Sequence, residues 1–291
     1  MEKMKTLSRP ISIWYGRALP ICLFFFLILA VEISANVLVA PTSVILSDKQ
    51  RTGRMTVRNP TNKPVEIEIR FSYGLPVSDE HGNVKVVFQD SLVTDPHSAL
   101  GWIKAFPKKM ILDPNTSQTI RFLARPPKDI QDGEYWARIM VRSQEGQTSI
   151  PIPSSREGIS TRLNMVMQTA IVIKYRKGDL LSKIEVVGTE VMKTDSSVIA
   201  MIDMKNRGNV SYVGTLKCRL LDARNKEISF DRIDLAVYYD LLRRVELPVT
   251  EGNFTAPYKV EVSISTDGRT DIPPQDLIIG NKIEYMATVD E

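Results

Sequence analysis

Residues 162–176 read RLNMVMQTAIVIKYR. The odd positions are apolar at Leu163, Met165, Met167, Ile171, Ile173 and Tyr175, with Thr169 the exception, while Arg162, Asn164, Val166 and Gln168 are mixed. A repeat of two is that of a β-strand, whose successive side chains point to opposite faces. Ala170 and Val172 make both faces apolar further on, so the pattern predicts a second half buried on both sides and a first half buried on one. Either this chain's own core or a partner must cover the odd face of that first half. An apolar, methionine-bearing edge is an aggregation hazard unless it is managed or used.

Strand signals of the same kind fill the chain on both sides. RMTVRN (54–59), VEIEIRFSYG (65–74), VKVVF (84–88), WIKAFP (102–107), TIRFLARP (119–126) and YWARIMVRS (135–143) alternate or are β-branched. Turn clusters separate them: NPTNKP (59–64), DEHGN (79–83), DPNTS (113–117) and QDG (131–133). Residues 144–160, QEGQTSIPIPSSREGIS, read as a long loop, and RKGDLLS (176–182) as a linker between domains. Beyond it the pattern resumes at 183–193, 197–206, 215–223, 236–249, 258–266 and 281–289. No segment sustains a 3.6-residue amphipathic period, which argues against helical and α/β folds. The expected fold is all-β, with two sandwich domains in tandem at 36–176 and 177–291. No internal sequence repeat relates the halves.

The first 35 residues carry Lys3, Lys5, Arg9 and Arg17, then ALPICLFFFLILAV (18–31) and EISAN. A basic start, an apolar run of about 14 residues and a small-residue site read as a secretory signal peptide cleaved after Ala35, since a spanning helix needs about 20. The full chain has a net charge of +4; without residues 1–35 it keeps 34 basic and 32 acidic residues. A balance of +2 is no nucleic-acid signature. Cys218 is then the one cysteine left, so an exported chain with no internal disulfide is held by its cores.

Motifs of catalysis are missing from the sequence. GxSxG, HExxH, GxxxxGK[ST] and GxGxxG do not occur, so neither a nucleotide nor another cofactor is expected. The two histidines, His81 and His97, have no metal-ligand spacing and read as surface-loop residues. Trp102 and Trp136 read as core aromatics, Cys218 as a buried inert thiol, and Arg54, Arg58, Arg70 and Arg121 as solvated strand faces. A paired-carboxylate hydrolase has no local spacing rule and would need a polar cleft between the domains.

Five segments in order resemble the PapD-like periplasmic pilus chaperones, a family of two immunoglobulin-like sandwiches. They are VLVAPTSVILSDKQRTGRMTVRNPTNKPVEIEIRF from residue 37, ILDPNTSQTIRFLARPPKDIQDGEYWARIMVRS from residue 111, the 162–176 strand ending in Lys174-Tyr175-Arg176, and NRGNVSYVGTLKCRLLDARNKEI and VYYDLLRRVELPV in the second half. The resemblance implies an immunoglobulin-like fold for both domains and a chaperone acting in the periplasm. It implies that 162–176 is lent to incomplete pilus subunits, Leu163, Met165, Met167, Thr169 and Ile171 filling the subunit's groove by strand addition. The implied partners are secreted pilus-type subunits and an outer-membrane usher, with self-association through the edge strand when idle, and no nucleic acid or nucleotide.

The family holds the subunit's C-terminal carboxylate with an Arg in the opening strand and a Lys in the lending strand. Ser43 and Val172 stand at those positions here, so Lys174, Arg51 or Arg54 would have to take that role. A different class of function stays open beside this one: a periplasmic or surface adhesion module that binds carbohydrate or protein through loops such as 144–160. A free apolar edge at 162–168 favours the chaperone, and a covered edge favours the adhesion module.

Overall fold

Alternating apolar strands bounded by Pro, Asn, Asp and Gly turns can bury their apolar faces by pairing two sheets. A computed structural model of the chain describes residues 37–89, 95–145, 165–249 and 256–289. The proposed signal peptide, Leu163 and most of the 144–160 loop lie outside the described residues. Residues 36–291 make one compact unit.

Among the described residues, ten strands form the first sandwich: β1 (Leu38–Ala40), β2 (Ser43–Ser47), β3 (Thr52–Arg58), β4 (Val65–Ser78), β5 (Val84–Gln89), β6 (Ile103–Phe106), β7 (Lys109–Leu112), β8 (Ser117–Ala124), β9 (Gly133–Glu145) and β10 (Val166–Lys177). One sheet has the order β1-β3-β8-β6, the other β2-β10-β9-β4-β5, with β7 also on β4. Seven more form the second sandwich: β11 (Ile184–Lys193), β12 (Ser197–Asn206), β13 (Tyr212–Leu221), β14 (Glu227–Val237), β15 (Asp240–Pro248), β16 (Lys259–Ser265) and β17 (Ile283–Thr288). Their sheets are β11-β12-β15 and β14-β13-β16-β17. The architecture is two tandem β-sandwiches.

Each sandwich has its own core. Leu46, Met55, Ile120, Phe122, Ile139, Ile173 and Tyr175 are among the buried residues of the first, and Ile202, Met204, Tyr212, Leu216, Cys218 and Val262 of the second. Burial of one such aliphatic side chain contributes roughly 1.5–3 kcal/mol, so these cores stand without a disulfide. Cys218 is fully buried, and burial pushes its thiol up to about 12.

The two halves solve one local problem in the same way, although no sequence repeat announces it. β3 ends at buried Asn59, whose Nδ2 donates to the carbonyls of Lys63 and Leu112 while its Oδ1 accepts from Thr61 N. β12 ends at Asn206, whose Nδ2 donates to Val210 and Tyr238 carbonyls while Oδ1 accepts from Gly208 N. In both places an Asn side chain satisfies backbone groups that the ending ladder would orphan. QDGEY contains a second device. The hydroxyl of Tyr135 donates back to the Gln131 carbonyl at 2.9 Å, the tyrosine corner of immunoglobulin-like sandwiches.

Chain elements of both sandwiches meet at their junction. The β4–β5 hairpin reaches onto β15: Arg244 N donates to the Gly82 carbonyl, Leu242 N donates to Ser78 Oγ, and Val84 packs on the second core. Gly82 has a φ of +74°, and a Cβ there would lie 2.6 Å from Arg244 N. Tyr73 and Trp136 of the first sandwich cluster with Tyr238 of the second. His97, expected on a free surface loop, stacks on Trp136 at 5.4 Å, and its Nδ1 lies 3.0 Å from the hydroxyl of Tyr239, which also donates to Asp95 at 2.7 Å.

Candidate binding edge and interdomain cleft

β10 has two halves with different surroundings. Its whole length pairs antiparallel with β9, from Val166 opposite Gln144 to Lys177 opposite Gly133. On its other side β2 runs parallel to it over Val172–Arg176 only. Residues 166–171 therefore have one strand neighbour, and their outer N–H and C=O groups face no strand among the described residues.

Side-chain burial changes at the same place. Ile171, Ile173 and Tyr175 belong to the first core, and the Tyr175 hydroxyl donates to Asp48 at 2.5 Å. Upstream, Met165 is 64 % exposed, Val166 48 % and Met167 42 %, and Gln168, Thr169 and Ala170 are exposed as well. Met165, Met167 and Thr169 fall on the face of Ile171, so they extend the apolar row of the core beyond the core itself. Ile171, at 4 % exposure, is committed to the chain's own core and has no surface to offer a partner in this structure.

The other face of β10 leads into a cleft of about 230 Å³ between the sandwiches. Ser43 and Val172 are direct register partners on its wall. Two residues on and on the same face, Lys174 is 4 % exposed. Its ammonium donates to Glu134 Oε1 at 2.8 Å and to Ser211 Oγ at 2.5 Å, and lies 5.3 Å from the Tyr238 ring centre. Arg176 Nε donates to the other oxygen of Glu134 at 2.9 Å, and its Nη1 to the Asp276 carbonyl at 2.6 Å. Ser211 Oγ donates to Glu134 Oε1 at 2.5 Å, which ties the second sandwich into the cluster.

Glu134 is fully buried. Burial opposes its ionisation, but the charges of Lys174 and Arg176 and the hydrogen bonds from Lys174 and Ser211 hold its carboxyl down at about 2. Across the cleft Arg269 grips Asp271 through two contacts of 2.7 and 2.6 Å and holds that carboxyl below its usual range. A general acid needs a raised carboxyl pKa, and these two carboxylates are both pushed the other way. The described residues hold no group of three His, Cys, Asp or Glu side chains able to bind a metal ion.

Of the three cations named for anchoring a carboxylate, Lys174 lines the cleft, whereas Arg51 and Arg54 do not. Arg51 pairs with Asp48 at 2.9 Å on the exposed β2–β3 turn, and Arg54 sits on β3 opposite Arg121, in the other sheet. Sequence reading missed Arg138, which lines the cleft two residues from Trp136. Its Nε donates to the Gly74 carbonyl at 3.0 Å, its guanidinium lies 5.9 Å from the Tyr238 ring centre, and it pairs with no carboxylate among the described residues. Alternation in YWARIMVRS was the available signal: it puts Trp136, Arg138, Met140 and Arg142 on one face.

No protein-family model matches the chain. A search of curated proteins gives no match. Among solved structures, the YadV chaperone is similar over 87 % of this chain and all of that one, at 15 % identity and a TM-score of 0.42. The CupB2 chaperone of Pseudomonas aeruginosa matches 87 % of this chain and all of its own, at 11 % identity and a TM-score of 0.42. The Salmonella enterica SafA pilin in complex with the SafB chaperone gives 86 % and 96 % coverage, 13 % identity and a TM-score of 0.42. At these identities the likeness is one of fold.

Proposed function

We propose that the protein is a periplasmic, ATP-independent assembly chaperone that binds partly folded, secreted pilus-type subunits by lending them the first half of β10. The observation that carries this reading is the edge at 166–171, unpaired among the described residues, where exposed Met165, Met167 and Thr169 continue the row of the core past its end. A partner strand laid along that edge would complete the backbone ladder, which gives generic affinity, and the odd side chains would fill the partner's groove. Met165 and Met167 suit several clients, because a thioether on a flexible stem repacks against differing surfaces. Lys174 is the candidate for holding a client's terminal carboxylate, in competition with Glu134. The lending row is Leu163, Met165, Met167 and Thr169; Ile171 belongs to the fold.

In this reading residues 1–35 direct export and are removed, 36–176 form the lending domain, and 177–291 form the second domain that closes the cleft. An outer-membrane usher would receive the loaded complex. The adhesion-module reading requires a covered edge, and the exposure of residues 165–170 favours the chaperone over it. To test the proposal, wild type and the Met165→Arg/Met167→Glu variant are purified by affinity from the native periplasm, and co-eluting proteins are identified by mass spectrometry. Small secreted β-proteins are expected with wild type and not with the variant, at equal thermal stability. A variant that unfolds, or a wild type that recovers no such partner, rejects it.

A further inference from the structure

The outward face of the β2-β10-β9-β4 sheet, with β7 beside β4, carries more cations than carboxylates. Register places Gln168 of β10 opposite Arg142 of β9 and Val172 opposite Arg138. Glu68 and Arg70 of β4 follow opposite Arg142 and Met140. Directly opposite residues share a sheet face, so these side chains stand in one field. Glu68 is shared by three cations, Arg70 at 2.9 Å, Lys109 at 3.3 Å and Arg142 at 3.8 Å, around a hollow of about 530 Å³. Glu66, at the end of the face farthest from the cleft, is bonded to the Gln144 amide. Towards the cleft, Arg138 pairs with no carboxylate among the described residues, and Lys174 and Arg176 share Glu134.

We infer that the segment received by the open edge is acidic on its outward face, with a side-chain carboxylate at the level of Arg142; Arg138 stands level with Val172, where β2 already occupies the edge. This rests on the strand-lending reading and adds a client chemistry to it. A strand added beside β10 lies about 10 Å from β9, two strand spacings away. The side chains between, Gln168 and Ala170, are neutral, and the Arg142 cluster, three cations around Glu68, acts across about one screening length. The charge pattern therefore selects against basic segments as well as for acidic ones, since like charges set side by side are repelled.

Three blocked, dye-labelled nine-residue peptides test this, with valine at one set of alternating positions and glutamate, serine or lysine at the other. Binding to the mature protein is read by fluorescence anisotropy at low and high salt. The glutamate peptide is expected to bind about tenfold tighter than the serine peptide at low salt and the lysine peptide more weakly, with the spread collapsing at high salt. Arg142→Gln, whose guanidinium among the described residues is held by the long contact to Glu68, is expected to shrink the spread and leave the serine peptide unchanged. Equal binding of the three peptides overturns the acidic preference and leaves strand lending standing. A preference undiminished in Arg142→Gln also overturns it. Failure of all three to bind rejects strand lending, and this inference with it.

Discussion

Replacing Glu134 by Gln tests the cluster that joins the sandwiches. The substitution keeps the volume and removes one charge, which leaves Lys174 and Arg176, with side chains 5 % and 10 % exposed, facing each other without a counter-ion. Removal of one partner from a buried ion pair costs about 3–5 kcal/mol, because the remaining charge stays desolvated. Acid should expose the same energy in the wild type. Glu134 titrates near 2 in the folded chain against an ordinary glutamate value of 4.5, so the unfolded chain takes up its proton at higher pH. Its stabilising contribution is present in full above about pH 5 and is lost as pH falls towards 2, a loss on the order of 3 kcal/mol. Guanidinium denaturation of residues 36–291, followed by the fluorescence of Trp102 and Trp136, should show the Gln variant several kcal/mol less stable at pH 7, with a flatter acid limb. A variant within 1 kcal/mol of wild type at pH 7, or one with the same acid slope, would refute the reasoning.

The boundary within β10 should appear in truncation energies measured by the same denaturation. Ile171→Ala is expected to cost about 2–5 kcal/mol and Met165→Ala no more than about 0.5 kcal/mol. Gly82→Val should loosen the β4–β5 hairpin from β15, since a Cβ there meets Arg244 N at 2.6 Å with φ at +74°. Faster hydrogen exchange at the Leu242 and Arg244 amides, with that of the core strands unchanged, is the expected sign. Cys218 should resist thiol-reactive dye at pH 8 in the folded protein and react once denatured, because burial raises its thiol to about 12. Rapid labelling of the native chain would contradict its place in the second core.

Much of this architecture could be read from alternation and turn residues, because those signals are local. The strand at 162–176 shows the limit of such reading. Its period fixed which side chains share a face, yet Ile171 and Met167 look alike in sequence and differ only in whether β2 and the opposite sheet reach them. That is a matter of where neighbouring strands end, which no local pattern encodes. β7 went unseen because its four residues, Lys109–Leu112, are too few to display a period. Most of β14 was hidden by Asp231, Arg232 and Asp234, residues that strands disfavour but that an edge strand tolerates and uses as protection. The cleft was hardest to foresee. Glu134 carries no signal of its own in the sequence, and its role appears only when Lys174, Arg176 and Ser211, far apart in the chain, converge on it. Of the candidate anchors, Lys174 lines the cleft while Arg51 and Arg54, near Ser43 in sequence, do not, and Arg138, the cation beside the cleft that pairs with no described carboxylate, comes from the neighbouring strand.

A photo-activated cross-linking amino acid at position 167, with position 173 as control, tests strand lending most directly. The variants are expressed in the native cell, illuminated, and their adducts mapped by peptide mass spectrometry. The account predicts that position 167 joins a β-forming segment of a second secreted protein, while position 173 joins only residues of its own core. Adducts at 167 confined to this same chain would show that its own residues cover the edge, and would contradict strand lending.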